Sequence, residues 1–110
     1  MIKVTVYRTE GHEYTGFDAE GHAGFQESGR DIVCAAASVL IINTINSIEK
    51  FTNDKTSCVH DEDEGRIQFC FDGVAGHDAH ILLQAMVLGL ESIEDDKDYN
   101  PYIDIIFKEV

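Results

Sequence analysis

From Asp31 to about Phe51 the chain has neither glycine nor proline, and Ile32, Val33, Ala35, Ala36, Ala37, Val39, Leu40, Ile41 and Ile42 follow one another with only Cys34 and Ser38 between them. So long an apolar run cannot be a strand and reads as a buried helix. Its first half is apolar nearly all round, whereas Asn43, Thr44, Asn46, Ser47, Glu49 and Lys50 make the second half amphipathic. One small sheet cannot cover such a helix on every side. Either other elements sandwich it or a second copy of the chain does, and the homodimer is the favoured arrangement.

The start of this helix carries the candidate chemistry. Asp31, a preferred N-cap residue, follows the flexible Gly29 and predicts that the helix begins there. Cys34 would then be the third helical residue, in a turn whose backbone N–H groups lack intrahelical partners and whose partial positive charge favours an anion. A thiolate is the reactive form of cysteine, and a helix N-terminus or a nearby imidazolium lowers the thiol pKa. The same N–H groups would suit the oxyanion of a tetrahedral intermediate. His22 lies twelve positions upstream between Gly21 and Gly24, and with Gly29 these glycines would let the loop bring imidazole to thiol. The competing reading is an inert core cysteine and a solvated histidine. Placement in the first turn and the otherwise unexplained glycines pull against that reading, and the residues by themselves leave it and a His22–Cys34 dyad evenly weighed.

The remaining chain supplies a scaffold. Ile2, Val4 and Val6 alternate with Lys3, Thr5 and Tyr7, and a second strand runs from about Glu13 to Glu20 with Thr15, Phe17 and Ala19 on one side. The hairpin they form would deliver His22 at its far end, with His12 solvated in its turn. Strands at Thr56 to Glu62 and Arg66 to Phe71 flank Asp63-Glu64-Gly65, read as a three-residue loop with Gly65 in the left-handed region. That register puts Val59 with Ile67, Phe69 and Phe71, and Cys58 and His60 with Gln68 and Cys70. The latter grouping has zinc-ligand chemistry but not zinc-ligand spacing, so no metal is assigned. A second helix spans about His77 to Ile93, with Ala79, Leu82, Leu83, Met86, Val87, Leu90 and Ile93 on one face and Gly89 marking a close contact. Glu94-Asp95-Asp96-Lys97-Asp98 is an acidic connector, Pro101 ends it, and Ile103, Ile105 and Phe107 alternate with polar residues in a last strand. The order ββαββαβ predicts an α+β two-layer sandwich, two helices packed on one face of a mixed sheet, in a single domain covering residues 1–110.

Eight basic residues against 21 acidic ones give a formal charge of −13, which disfavours direct nucleic-acid binding and suits a basic protein partner. Three cysteines, an odd number, and a Met1-Ile2-Lys3-Val4 start without a signal-peptide pattern point to a reducing cytoplasm. The longest apolar run, Ile32 to Ile42, is interrupted and too short for a membrane span.

Gly21-His22-Ala23, a short spacer, Gly29, Asp31-Ile32-Val33-Cys34-Ala35-Ala36 and Ser38 resemble the signature of the bacterial ribosomal-processing cysteine protease family, the Prp type. The resemblance covers essentially the whole chain. It implies His22 as general base and Cys34 as nucleophile, with Asp31 and Ser38 at recurring motif positions in possible supporting roles. Gly21, Gly24 and Gly29 would belong to the loop that meets substrate. It also implies a homodimer, no cofactor, and a substrate that is the N-terminal extension of a basic large-subunit ribosomal protein. Two readings compete with this one: a ribosome-associated adaptor or assembly protein with Cys34 buried, and an acyl or thiol transferase using the same dyad.

Overall fold

The computed structural model describes residues 1–21 and 28–110, with residues 28–31 described by their backbone alone. The elements are β1 (Ile2–Arg8), β2 (Tyr14–Glu20), α1 (Ser28–Phe51), β3 (Thr56–Asp61), β4 (Arg66–Phe71), α2 (His77–Glu94), a 3-10 turn (Asn100–Tyr102) and β5 (Ile103–Glu109). They form the expected α+β fold in the order ββαββαβ. The five strands lie in the order β3-β4-β2-β1-β5, antiparallel throughout except for the parallel pair β1 and β5.

Alternation decides which side of the sheet the helices cover. Ile2, Val4 and Val6 of β1, Phe17 and Ala19 of β2, Ile67, Phe69 and Phe71 of β4 and Ile103 of β5 are all buried. They meet Val33, Cys34, Ala37, Ile41, Ile45 and Ile48 of α1 and Ala79, Leu83, Met86, Val87 and Leu90 of α2 in one core. Phe69 is central among the aromatics, its ring stacked on Phe17 at 5.3 Å and edge-on to Phe71 at 5.3 Å. Gly89 does mark a close helix contact, because a β-carbon there would stand 3.0 Å from Leu40 Cδ1.

Four expectations need correction. First, α1 begins at Ser28 rather than at Asp31, so Gly29 and Asp31 belong to its first turn instead of to the loop and the cap. The signal at Asp31 was ambiguous, since an aspartate is as favourable within the first turn, against the helix dipole, as at the cap. Second, a bulge interrupts β1 and β2: Tyr7 pairs with Gly16 and Arg8 with Tyr14, leaving Thr15 unpaired. The extra residue turns Tyr14, not Thr15, to the buried side.

Third, the β3–β4 connection has four residues, because Asp61 pairs with Arg66. Gly65 is left-handed as expected, at φ 62°, but one residue more in the loop flips the faces of β3. Cys58 stands opposite Phe69 and His60 opposite Ile67, while Val59 stands opposite Gln68 and Ser57 opposite Cys70. The supposed Cys58–His60–Gln68–Cys70 grouping is thereby split between the two sides of the sheet. Fourth, α1 does contain a stretch, Ile32–Phe51, long and apolar enough to cross a membrane. Asn, Thr and Ser in its second half do not cancel its apolar content, and here the burial of Ala37, Ile41, Ile45 and Ile48 against the sheet uses it.

Candidate functional site

Gly21 is where the scaffold hands the chain to its candidate chemistry. Its N–H donates to the carbonyl of Gly65 at 3.2 Å, adding one rung to the β2–β4 ladder beyond Glu20 and Arg66. Its φ is 95°, and a β-carbon would lie far inside the van der Waals radius of the Met1 carbonyl oxygen, so only glycine fits. Three segments thus meet at one end of the sheet: the start of β1, the end of β2 and the β3–β4 turn. His22 and Gly24 come next in the chain and lie outside the described residues. So does most of the loop expected to meet substrate, whose Gly29 belongs to α1.

The topology brings the N-terminal end of α1 to this same end. A helix of 24 residues spans about 36 Å, and a link of only a few residues ties its far end, Phe51, to Thr56, at the end of the strands opposite the Glu20–Arg66–Asp61 row. Cys34 is the seventh residue of the helix, not the third. Its own N–H is therefore inside the helical hydrogen-bond ladder, and the unpartnered N–H groups belong to residues 28–31. Helical side chains lean toward the N-terminus, so the thiol points back over the first turn, where the dipole still favours a negative charge. The N–H groups expected to receive an oxyanion are thus those of the helix start, one turn before Cys34, and the Cys34 amide is not among them.

Cys34 is 9% exposed, beside Val33 and Ala37, which are both closed off from solvent. Ser38, one turn further on, is half-buried and opens a shallow groove of about 320 Å³ that continues along Val39, Ile42, Asn43 and Asn46. Cys34 and Ser38 thus share a side of α1 as expected.

Elsewhere, several titratable groups are engaged by packing and pairing. His80 lies against the Tyr14 ring at 4.8 Å. Burial raises the Tyr14 phenol pKa, with Arg8 opposing and Glu91 adding to the effect. Cys58, on the exposed edge strand, also has a raised pKa, first through partial desolvation of its thiol and then through Glu49 and Cys70. On the uncovered face Arg66 forms a two-point ion pair with Asp18, at 3.1 and 2.6 Å, which raises the guanidinium pKa further. Nearby, Ser57 and Cys70 share a hydrogen bond of 2.9 Å. Among the described residues no group of His, Cys, Asp or Glu is arranged to hold a metal ion.

Two features of this end were not read from the sequence. The acidic residues Glu62, Asp63 and Glu64 sit in the turn that Gly21 is bonded to, and the Glu94–Asp98 connector lies near the start of β5. Glu94 Oε2 accepts the backbone N–H of Ile105 at 2.8 Å. Only the strand register reveals either placement.

Comparison with known proteins bears on the whole of this arrangement. Residues 1–104 match the family model described as cysteine protease Prp. The ribosomal processing cysteine protease Prp of Bacillus subtilis (strain 168) is 31% identical over 100 residues, covering 87% of this chain and 89% of its own. The essential ribosomal processing protease Prp from S. aureus, solved in complex with a substrate peptide, superposes with a TM-score of 0.91 at 29% identity, over 98% of this chain and all of that one. The same S. aureus protease with a covalently linked product peptide gives a TM-score of 0.85 at 30% identity over the same shares. The chain belongs to the Prp family of cysteine proteases.

Proposed function

We propose that this protein is an endopeptidase that removes the N-terminal extension of a basic large-subunit ribosomal protein, with Cys34 as nucleophile and His22 as general base. The observation that carries the reading is the place of Cys34. It is the cysteine on the helix whose N-terminal end shares one end of the sheet with Gly21, whereas Cys58 and Cys70 lie in the β3–β4 hairpin. The covalently linked product peptide of the S. aureus relative supports a nucleophilic route. In that route His22 takes the thiol proton, Cys34 Sγ attacks the scissile carbonyl, and the imidazolium returns the proton to the leaving amine. Water then releases the acyl group from the sulfur, and neither metal nor cofactor takes part. Asp31, in the first turn of α1, and Ser38, beside Cys34, are supporting residues.

The basic substrate and the dimer rest on surfaces. Both acidic segments, Glu62–Glu64 and Glu94–Asp98, lie toward the Gly21 end of a chain of formal charge −13, a field that would draw a cationic peptide inward in the cytoplasm. Along α1, Ile32 (53% exposed), Ala35, Val39 (67%) and Ile42 (41%) form an uncovered stripe at helical spacing. A second copy of the chain would cover it.

The test incubates the protein and its Cys34→Ala and His22→Ala variants with the extended N-terminus of a large-subunit ribosomal protein and reads the products by mass spectrometry. One cut, made by the wild type and lost in both variants, is the expected result. A cut that survives Cys34→Ala would remove the assignment. No cut at all, under conditions in which the S. aureus relative cuts, would favour the adaptor reading, which the near-burial of Cys34 also fits.

A further inference from the structure

The two edges of the sheet are treated differently. At β5 the backbone N–H of Ile105 faces away from β1 and is taken by the Glu94 carboxylate at 2.8 Å, so that edge is blocked in its middle. At β3 the ladder shows which groups are left over. Asp72 donates to the Lys55 carbonyl at 2.8 Å, and residues 55 and 72 are opposite each other in the register that continues as Thr56–Phe71 and Ser57–Cys70. Antiparallel pairs alternate between bonded and non-bonded. Ser57, Val59 and Asp61 therefore bond to β4, and Thr56, Cys58 and His60 turn their N–H and C=O groups outward. Among the described residues nothing bonds to those groups, and Ser57 to Asp61 are all exposed.

This edge also lacks the devices by which edges are usually closed. β3 has no proline and no lysine, and its six-residue register with β4 is unbroken by any bulge. We infer that the outer edge of β3 is the rail on which an extended, lysine- and arginine-rich segment of the substrate docks, adding a sixth strand to the sheet. The inference rests on the endopeptidase reading above.

The row of open backbone groups is the site, and charge selects the occupant. The rail ends in Asp61 and runs into Glu62, Asp63 and Glu64, while Glu49 lies close enough to Cys58 to help raise its pKa. Main-chain pairing supplies affinity that is indifferent to sequence, and the acidic end favours cationic side chains. Direction is right as well. Asp61, Arg66 and Glu20 form one row across the sheet, so the rail ends two strand spacings, about 10 Å, from Gly21 and the candidate catalytic end.

The test is amide hydrogen exchange, resolved by NMR, on the Cys34→Ala protein with and without the extended ribosomal-protein N-terminal peptide used for cleavage. Docking slows exchange at Thr56, Cys58 and His60 by about tenfold or more and leaves Ser57, Val59 and Asp61, already bonded to β4, nearly unchanged. Cys58→Pro removes one outward donor without touching the β4 ladder, and it should raise KM for that peptide by about 2- to 10-fold while kcat holds. If the wild type cuts the peptide but the three amides exchange as in the free protein, the rail is wrong and the protease reading stands. An unchanged KM in a folded Cys58→Pro variant would overturn it equally. A peptide that is neither bound nor cut removes both readings together.

Discussion

Two glycines with nearly the same backbone angle allow the steric role of the candidate site's hinge to be measured. Gly21 and Gly73 have φ values of 95° and 93°. A β-carbon at Gly73 meets nothing within 4 Å, whereas one at Gly21 falls on the Met1 carbonyl oxygen. Gly73→Ala therefore measures backbone strain alone, about 1–2 kcal/mol for an L-residue in this region. Gly21→Ala carries the same strain and must also shift the first residues of β1 or break the rung to Gly65, a hydrogen bond worth about 1 kcal/mol. The total is about 2–3 kcal/mol. At ~4 °C per kcal/mol for a domain of this size, Tm should fall by about 4–8 °C in Gly73→Ala and by ~8–12 °C in Gly21→Ala. Activity should separate the two further. Gly73 follows β4 at the opposite end of the sheet, so kcat/KM for the ribosomal-protein peptide should be kept. Displacing Gly21 moves the residue before His22, and kcat/KM should drop by about tenfold or more, as a misplacement of ~1 Å is enough to do. Thermal melts and cleavage rates on both variants decide the matter. Equal Tm losses, or wild-type cleavage by a folded Gly21→Ala protein, would refute the argument that this junction positions the site.

Because folding raises the Tyr14 phenol pKa, the folded state holds that proton more tightly than the unfolded one. The contribution is complete below pH ~10 and is lost as pH rises through the folded value; an alkaline stability titration should show the loss, and Tyr14→Phe should flatten it. Cys58, whose pKa is also raised, should react with iodoacetamide at pH 8 more slowly than a cysteine in an unstructured peptide, and a faster rate would contradict its surroundings. Gly89→Val should cost ~1–3 kcal/mol in denaturant unfolding by forcing Leu40 aside, and a neutral result would mean that the α1–α2 contact is looser than 3.0 Å. If the proposed dimer forms through α1, wild type should sediment as a dimer and Val39→Glu as a monomer, and an unchanged mass would exclude the α1 stripe as the interface. Cleavage of the basic peptide should slow with added salt if the acidic segments steer it, and salt-independent rates would remove that role.

What could be read from the chain alone follows from how local each signal is. The strands with strict alternation, the two helices and the left-handed Gly65 were legible because period and turn chemistry are written in neighbouring residues. The errors came where one residue changes the outcome and two neighbours are equally acceptable. Asp31 suits a cap and a first turn alike, and the choice moves Cys34 by a whole turn. Glu62 can end a strand or open a turn, and the choice exchanges Val59 with Cys58 and His60 between the faces. The bulge at Thr15 is of the same kind. The pairing of Cys34 with a loop histidine was suggested by residue type and spacing. By contrast, the rung from Gly21 to Gly65 and the Glu94 contact with Ile105 join residues far apart in sequence, and nothing local announces them.

The blocked edge at β5 has a consequence for self-association. A sheet whose two edges were both open could join front to back, and each addition would leave a fresh edge for the next copy, the route to a fibre. With Glu94 seated on Ile105, the edge left to meet another sheet is β3. Two copies joined β3 to β3 would be related by a twofold axis and would use up both open edges at once. The sheet itself would stop growing at two copies, so one carboxylate on the far side of the molecule lets β3 stay open without building an endless sheet.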